Sequence, residues 1–144
     1  MKKLKTFQGT VYPWHCDHMG HMNVQHYVAM FDQAGWNTFS ELGLTMQFFK
    51  QHGRGMAAIE QNIKYKKELI AGQNVYVESM ITEVREKVLI IQLTMHDADN
   101  HVLAAECRLV AVHLDAIKRK SLAFPDHIID KAKSMVNSEK NIAA

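Results

Sequence analysis

The residues best suited to chemistry stand close together between Trp14 and Phe31, in the stretch WHCDHMGHMNVQHYVAMF. Within it, Asp17 lies just before the predicted start of a long helix, where unpaired backbone N–H groups carry partial positive charge. Such amides can stabilise an oxyanion, and a carboxylate beside them can attack an electrophilic carbonyl or activate water against it. The combination predicts acyl transfer or hydrolysis.

Three neighbours of Asp17 support this interpretation. Gly20 permits a backbone bend with positive φ or the close approach of a ligand. His21 and Asn23 lie near the predicted helix start, where their side chains can reach the same space. Aspartate is also common in turns and at helix entries, so a structural Asp17 is the competing interpretation. The context of these three residues favours the catalytic one.

Several side chains of the same stretch are of metal-binding types. The candidate ligands are His15, Asp17, His18, His21 and His26. Imidazole and carboxylate groups bind Zn²⁺, and His18-x-x-His21 is a usable spacing, but the pattern matches neither a zinc finger nor HExxH. We therefore predict neither a metal nor a cofactor. Cys16 is a weak candidate nucleophile, because the adjacent Asp17 disfavours the thiolate on which cysteine reactivity depends.

Other candidate residues lie outside this stretch. Glu60, in a predicted strand, is either a solvent-facing side chain or part of the site, since a strand pattern alone does not decide burial. His96 and His113 lie in or at the end of predicted strands and are interpreted as structural. Methionine and aromatic side chains could line an acyl pocket, although such residues are more often plain core. These residues are Trp14, Met22, Met30, Phe31, Trp36, Met46 and Met56.

Composition and charge indicate a globular chain. Of its 144 residues 47% are hydrophobic and 22% charged, with only 7 glycines and 2 prolines, which is typical of a single domain, here residues 1–144. The net charge of +2 is too balanced to favour nucleic acid, and the run Lys118-Arg119-Lys120 is interpreted as a solvated strand end. Two cysteines make no disulfide framework. We expect a cytoplasmic protein with no membrane partner, because no apolar run approaches roughly 20 residues and the basic N-terminus precedes no apolar segment.

The first half of the chain predicts a strand and a long helix. The strand covers residues 4–12 and ends at Pro13, and the helix runs from Met22 or Asn23 to Leu42 or Gly43, with Asn23 as its N-cap. Gly35 costs about 1 kcal/mol relative to alanine in a helix, so we expect close approach to a sheet there. A mobile connection containing Gly53 and Gly55 follows. The predicted buried face consists of Val24, Tyr27, Val28, Phe31, Ala34, Gly35, Thr38 and Leu42.

The second half predicts four strands and a short helix. Residues 56–66, 74–85, 87–97 and 101–115 alternate with a period of two and are joined by short turns, so we expect an antiparallel meander. Pro125 precedes a helix at 126–136, and a frayed tail follows. One helix can cover one face of a five-stranded antiparallel sheet, which gives a two-layer α+β fold.

The order of elements and the loop motif resemble those of the hotdog-fold acyl-CoA thioesterases, in particular their 4-hydroxybenzoyl-CoA thioesterase-like branch. The pattern D-x-x-G-H-x-N at the head of the long helix stands here as residues 17–23, and Tyr27 follows four residues later. The Asp…His-x-Asn part is also similar to plant acyl-ACP thioesterases. Residues 60–72, EQNIKYKKELIAG, and residues 113–125 are similar to the family's second strand with its turn and to its last strand.

The resemblance implies a sheet wrapped around the helix, two protomers that pair their sheets into one, and an acyl-thioester site at the dimer interface. Dimers often pair again into tetramers. Asp17 takes the role of nucleophile or general base, and backbone amides around Gly20 and Met22 polarise the thioester carbonyl. His21 and Asn23 shape the loop or orient water and the acyl group. Possible pocket residues are Trp14, His18, Tyr27 and Glu60. The basic residues that hold the CoA nucleotide are not identified by any motif.

The histidines at 15 and 18 are not required by the family pattern. The HMGHMN and Glu60-Gln61 stretches together resemble a subgroup associated with carnitine and betaine catabolism, which makes betainyl-CoA a candidate substrate. Two other functions remain open. Related enoyl-thioester hydratases carry D-x-N-P-x-H, but here His21 lies four residues after Asp17 and no Asn-Pro is present. A non-catalytic acyl- or CoA-binding module has little use for Asp17.

Overall fold

Six strands and three α-helices make up the part of the chain that the computed structural model describes, which is residues 1–142, with side chains described to residue 137. The strands are β1 (Leu4–Thr10), β2 (Arg54–Tyr65), β3 (Asn74–Val84), β4 (Val88–Asp97), β5 (Leu103–Asp115) and β6 (Lys120–Ser121). The helices are α1 (Val24–Glu41), α2 (Met46–His52) and α3 (Asp126–Ile142), and a 3-10 turn covers Pro13–His15.

The strands form one antiparallel sheet in the order β1-β3-β4-β5-β2, and the short β6 adds to β5. The predicted α+β class is therefore confirmed, but the predicted four-strand meander is wrong. Only β3, β4 and β5 are joined as a meander. Since β1 and β4 occupy both edges of β3, β2 joins the sheet at the free edge of β5 instead. Residues 66–73 connect β2, at one edge of the sheet, to β3, which lies next to the opposite edge strand β1.

Helix α1 packs on the sheet through a buried stripe that differs in part from the predicted one. Val24 and Val28 are exposed, at 55% and 37%, so their assignment to the buried face is wrong. Met30 and Phe39 are buried instead, because the stripe is rotated toward β1 and β3. The prediction for Gly35 is confirmed, since a Cβ there would lie 3.3 Å from the Leu109 Cδ2.

Two other parts of the chain also differ from prediction. The connection expected to be mobile contains α2, which Thr45 caps by accepting a hydrogen bond from the Phe48 N–H. Helix α3 runs to Ile142 rather than 136, and its Ile128 and Ala132 are buried. The predicted frayed tail is therefore helical as far as 142, and residues 143–144 lie outside the described residues. None of the described helices is long and apolar enough to cross a membrane.

His113 is a core residue, as predicted. Its side chain is fully buried, and its Nδ1 donates to the Leu122 carbonyl oxygen at 2.8 Å. Burial lowers the pKa of His113. His96 stacks on the Tyr76 ring at 5.1 Å, which agrees with its structural interpretation.

Candidate active site

The loop between the 3-10 turn and α1 is a tight bend held by its own backbone. Cys16 and Met22 form an antiparallel bridge, and the Asp17 N–H donates to the His21 carbonyl at 3.1 Å. At the tip the Gly20 N–H donates to the Asp17 carbonyl at 2.9 Å, with Gly20 at φ 82°, a conformation that favours glycine. The sequence-based expectation of a special backbone conformation at Gly20 is confirmed.

The Asp17 carboxylate accepts one hydrogen bond on each oxygen. Its Oδ2 accepts from the Asn23 side-chain Nδ2 at 2.9 Å, and its Oδ1 accepts from the Met19 N–H at 2.9 Å. These two bonds, the one from Asn23 first, lower the pKa of Asp17. Hydrogen bonds to the charged form favour it, so Asp17 stays ionised at neutral pH.

Asn23 holds the helix start with the other end of the same side chain. Its Oδ1 accepts from the Gln25 N–H at 3.0 Å, which makes Asn23 the N-cap of α1 as predicted. The Asn23 N–H donates to the His15 carbonyl at 2.9 Å. The carboxylate of Asp17 and the end of the helix are therefore joined through a single amide group.

The expected oxyanion donors are already engaged within the chain. The Gly20 N–H donates to Asp17, and the Met22 N–H donates to the Leu69 carbonyl at 2.7 Å, so neither amide is left for a substrate. Val24 is the first residue of α1, and none of the hydrogen bonds of the described residues is donated by its N–H. First-turn amides have no partner within the helix, and the cap serves Gln25 rather than Val24. The N-cap assignment of Asn23 was the sequence signal that could have pointed to Val24.

A cleft of about 370 Å³ opens beside Asp17. One side of it contains Asp17 and His21 from the loop together with Val24 and Tyr27 from α1. The sequence analysis named Asp17, His21 and Tyr27, and the structure brings these three together. The sequence analysis did not name Val24 as a donor.

The other side of the cleft contains Tyr65 and residues 66–68. We call residues 66–69 the strap. The strap is bound to the site by backbone groups: the Leu69 carbonyl accepts from Met22, and the Lys67 carbonyl accepts from the Tyr27 hydroxyl at 3.3 Å. Lys66, Lys67 and Glu68 line the cleft. Sequence analysis gave them no role, although they lie in the stretch 60–72 that it compared with the family.

A contact between a histidine and a carboxylate joins the loop to the strap. The His21 Nε2 lies 2.9 Å from the Glu68 Oε2. His21 is therefore directed toward the strap, whereas Asn23 is the residue that contacts the Asp17 carboxylate.

Three predicted pocket residues do not line this cleft of the single chain, and their assignment to the acyl pocket stays a prediction. Trp14 is 72% exposed and stacks on Tyr12 at 4.6 Å. Glu60 lies on β2 opposite Val110 of β5, and its carboxylate is 3.6 Å from the Arg108 guanidinium. His18 stands in the loop but outside the cleft lining.

The remaining histidines of the stretch are arranged apart from Asp17. The His15 and His26 rings lie 4.7 Å apart, and the His15 Nδ1 accepts from the Tyr12 N–H at 3.0 Å. Burial, and secondly the nearby His26, lower the pKa of His15. Among the described residues, no three histidine, cysteine, aspartate or glutamate side chains are grouped so that they could hold a metal ion.

A second, small cavity of about 30 Å³ lies between α1 and the sheet. Phe31, Trp36 and Met56, which the sequence suggested for an acyl pocket, line this cavity rather than the cleft. Cys107 also lines it, and burial raises the pKa of that thiol to about 11, so it is not a reactive thiolate.

A known protein family matches most of this chain. The sequence pattern of the thioesterase-like superfamily matches residues 11–132, which is most of the chain and includes Asp17, α1 and the strap. The chain belongs to the thioesterase-like superfamily. This membership confirms the family resemblance that the loop motif and the order of elements predicted.

Solved structures share the hotdog fold of this thioesterase-family chain. A hypothetical protein from Staphylococcus aureus in complex with CoA has a TM-score of 0.87 and 22% identity, covering 95% of this chain and 87% of that one. The 1,4-dihydroxy-2-naphthoyl-CoA thioesterase from Synechocystis has a TM-score of 0.77 and 17% identity, covering 94% and 96%. At these identities the likeness shows the fold, and the predicted hotdog fold is confirmed.

A curated relative of this thioesterase-family chain is the L-carnitine dehydrogenase/betainyl-CoA thioesterase of Rhizobium meliloti (strain 1021). The two are 23% identical over 128 residues, which is 89% of this chain. The chain spans only about a quarter of that relative, 26% of its length.

Two substitutions of Asn23 separate its two roles. Serine keeps an N-cap oxygen but has no amide to donate to Asp17, whereas alanine loses both and costs about 1 kcal/mol of stability. We expect both variants to raise the pKa of Asp17, because its largest lowering cause is removed. The Asp17 carboxyl resonance, followed by NMR against pH, measures this.

The lowered pKa of Asp17 also decides how the stability of the fold changes with pH. Because the folded-state pKa of Asp17 is lowered, its contribution to stability is present above the unfolded-state pKa and is lost as the pH falls through the folded-state value. In both variants the folded-state pKa lies closer to the unfolded-state value, so this contribution is smaller and its loss is complete at a higher pH. Thermal unfolding at neutral pH should show a clear drop for Asn23→Ala and a smaller one for Asn23→Ser. An unchanged Asp17 titration in the serine variant contradicts the assigned hydrogen bond.

Proposed function

We propose that the protein is an acyl-CoA thioesterase in which Asp17 acts on the thioester carbonyl and the Val24 N–H binds the carbonyl oxygen. The observation that carries this proposal is the meeting of both groups in one cleft. Asp17 is an ionised carboxylate, and Val24 supplies an unpaired helix-start donor. A carboxylate and an oxyanion donor are the two groups that thioester hydrolysis most needs.

The reaction follows from these positions. With Asp17 as general base, a water oxygen attacks the carbonyl carbon while the carboxylate takes the water proton, and the tetrahedral oxyanion is stabilised by the Val24 N–H. The carbonyl then re-forms, the carbon–sulfur bond breaks, and the sulfur leaves with the electron pair. With Asp17 as nucleophile, an acyl anhydride forms first and water hydrolyses it. Both routes give a carboxylic acid and free CoA.

The charge of the cleft suits a CoA ester. Lys66 and Lys67 place two ammonium groups on the strap side, and their backbone N–H groups are fixed by donation to the Ala104 carbonyl at 2.8 and 3.0 Å. Phosphate groups are recognised by such cations. We assign these lysines to the phosphates of CoA, and the related Staphylococcus aureus structure in complex with CoA supports a CoA ligand on this fold.

We further propose that two copies pair through β2. This strand is an edge of the sheet, so one row of its backbone N–H and C=O groups is unpaired within the chain. Ile59 and Tyr65 on it are 61% and 48% exposed. Pairing of two β2 edges would make one continuous sheet and cover these side chains. A further pairing of dimers and a cytoplasmic location remain predictions from the sequence.

Release of free thiol from a panel of acyl-CoA esters tests the proposed activity. The panel contains short, long, aromatic and trimethylammonium acyl groups, and Asp17→Asn is measured beside the wild type. We expect the variant to lose at least ~10²-fold in turnover with little change in thermal stability, because the role of Asp17 lies in the transition state. Asp130→Asn, on the exposed side of α3, is the matched control and should retain full activity. Release from no ester would favour a non-catalytic binding module.

For the acyl group we propose a small cationic one, with betainyl-CoA as the candidate. The relative that includes a betainyl-CoA thioesterase supports this choice. In the cleft, the rings of Tyr27 and Tyr65 meet at 85° with centroids 5.1 Å apart, and Glu68 adds a carboxylate. Aromatic faces and a carboxylate are the surroundings that favour a quaternary ammonium group.

A neutral isostere tests this specificity. The tert-butylacetyl group has the shape of the betainyl group but no charge, so its CoA ester isolates the effect of charge. We expect kcat/KM for betainyl-CoA to be at least ~10-fold higher, which corresponds to about 1.4 kcal/mol. Tyr65→Leu should reduce this ratio toward one. Equal kcat/KM for the two esters in the wild type would contradict a cationic acyl site.

A further inference from the structure

Asp17 and Val24 act on the thioester carbonyl, but neither group assists the departing sulfur. CoA leaves as an alkyl thiolate, and an alkyl thiol ordinarily titrates near pH 8.5, so protonation assists its departure at neutral pH. General acid catalysis of this kind contributes about 10²–10⁴-fold. A group that donates this proton must lie in the same cleft and carry a proton near neutral pH, which is typical of histidine.

His21 is placed for that role. It lines the cleft together with Asp17 and Val24, its side chain is 34% exposed, and its Nε2 is 2.9 Å from the Glu68 carboxylate. Pairing with a carboxylate fixes the orientation of an imidazole and decides which ring nitrogen faces the reacting atoms.

Hydrogen bonds to backbone groups near His21 and near Glu68 hold both residues in place. The His21 carbonyl accepts from Asp17, and the neighbouring Met22 N–H donates to the Leu69 carbonyl, next to Glu68. The Lys67 carbonyl, on the other side of Glu68, accepts from the Tyr27 hydroxyl. The loop and the strap are therefore held in register, and the His21–Glu68 pair joins them at the cleft that Asp17 also lines.

We propose that His21 is the general acid that protonates the departing thiolate, and that Glu68 is the positioning residue that orients its ring. The proposal rests on the proposed thioesterase function. When the tetrahedral intermediate collapses, the oxyanion electron pair re-forms the carbonyl, the carbon–sulfur bond breaks, and the sulfur takes the imidazolium proton on Nδ1, the ring nitrogen that Glu68 does not hold. Asp17 returns the proton that it took from water to solvent, and the imidazole regains one from solvent, so one water is consumed in each cycle.

A purely structural role for this pair makes a different prediction. The side chains are 34% and 73% exposed, and a contact with that exposure to solvent contributes little to stability. If the pair only supported the loop, its removal would slow all thioesters to a similar small extent. A general acid instead matters in proportion to how poorly the thiolate leaves.

Leaving-group dependence tests the proposal. The same acyl group is presented as its CoA ester, as its N-acetylcysteamine ester, which has an alkyl thiol but no nucleotide, and as its thiophenol ester, whose aryl thiolate leaves without assistance. We expect His21→Gln to reduce kcat for the two alkyl esters by at least ~10²-fold and for the thiophenol ester by less than ~10-fold. Glu68→Gln should produce the same pattern with smaller losses, and Glu68→Asp should restore part of it.

One control variant and two contrary outcomes belong to this test. Glu106→Gln removes a carboxylate from β5, outside the cleft, and should change none of the three rates. Equal losses for alkyl and aryl esters in His21→Gln, or no loss for either, would overturn the general-acid role. Hydrolysis of no ester by the wild type would instead overturn the proposed thioesterase function, and the general acid with it.

Discussion

The side chain of Asn23 connects the carboxylate of Asp17 to the end of α1. Its Nδ2 donates to Asp17, and its Oδ1 accepts from Gln25, so one amide both lowers the pKa of the carboxyl group and caps the helix. Because the cap is used on Gln25, the Val24 N–H remains unpaired among the hydrogen bonds of the described residues. An ionised carboxylate and a free donor thus line the same cleft, which is what the proposed chemistry requires.

The rest of the fold supplies the opposite wall. The strap reaches the loop because β2 pairs with the far edge of β5, and the chain must then cross back to begin β3. On the way, its carbonyl groups bind Met22 and Tyr27, while its amides bind Ala104 at the start of β5. The strap therefore contributes the lysines and Glu68 to the cleft at a fixed distance from the loop.

The parts of the site that depend on local sequence were predictable. The positions of Asp17 and Asn23, the bend at Gly20 and the helix from Asn23 onward follow from residue types within seven positions of one another. The α+β class followed from the periodicity, because a long helix and strands with a period of two allow few arrangements.

The parts that depend on long-range pairing were not predictable. The meander prediction placed β2 beside β3, and only pairing of β2 with β5 brings Glu68 to His21 and Leu69 to Met22. That pairing also explains why Met22 cannot be the oxyanion donor, since its amide is used by the strap. Glu60 lies outside the cleft, and its position could not be predicted because a strand pattern does not tell which part of β2 approaches the loop.

The most direct measurement is a crystal structure of the wild-type protein with a ketone analogue of an acyl-CoA, in which a methylene group separates the carbonyl from sulfur and prevents hydrolysis. We expect the carbonyl oxygen about 2.7–3.1 Å from the Val24 nitrogen and the carbonyl carbon facing the Asp17 carboxylate. A carbonyl held by other donors, or an analogue bound outside the cleft between the loop and the strap, would contradict the assignment of this site.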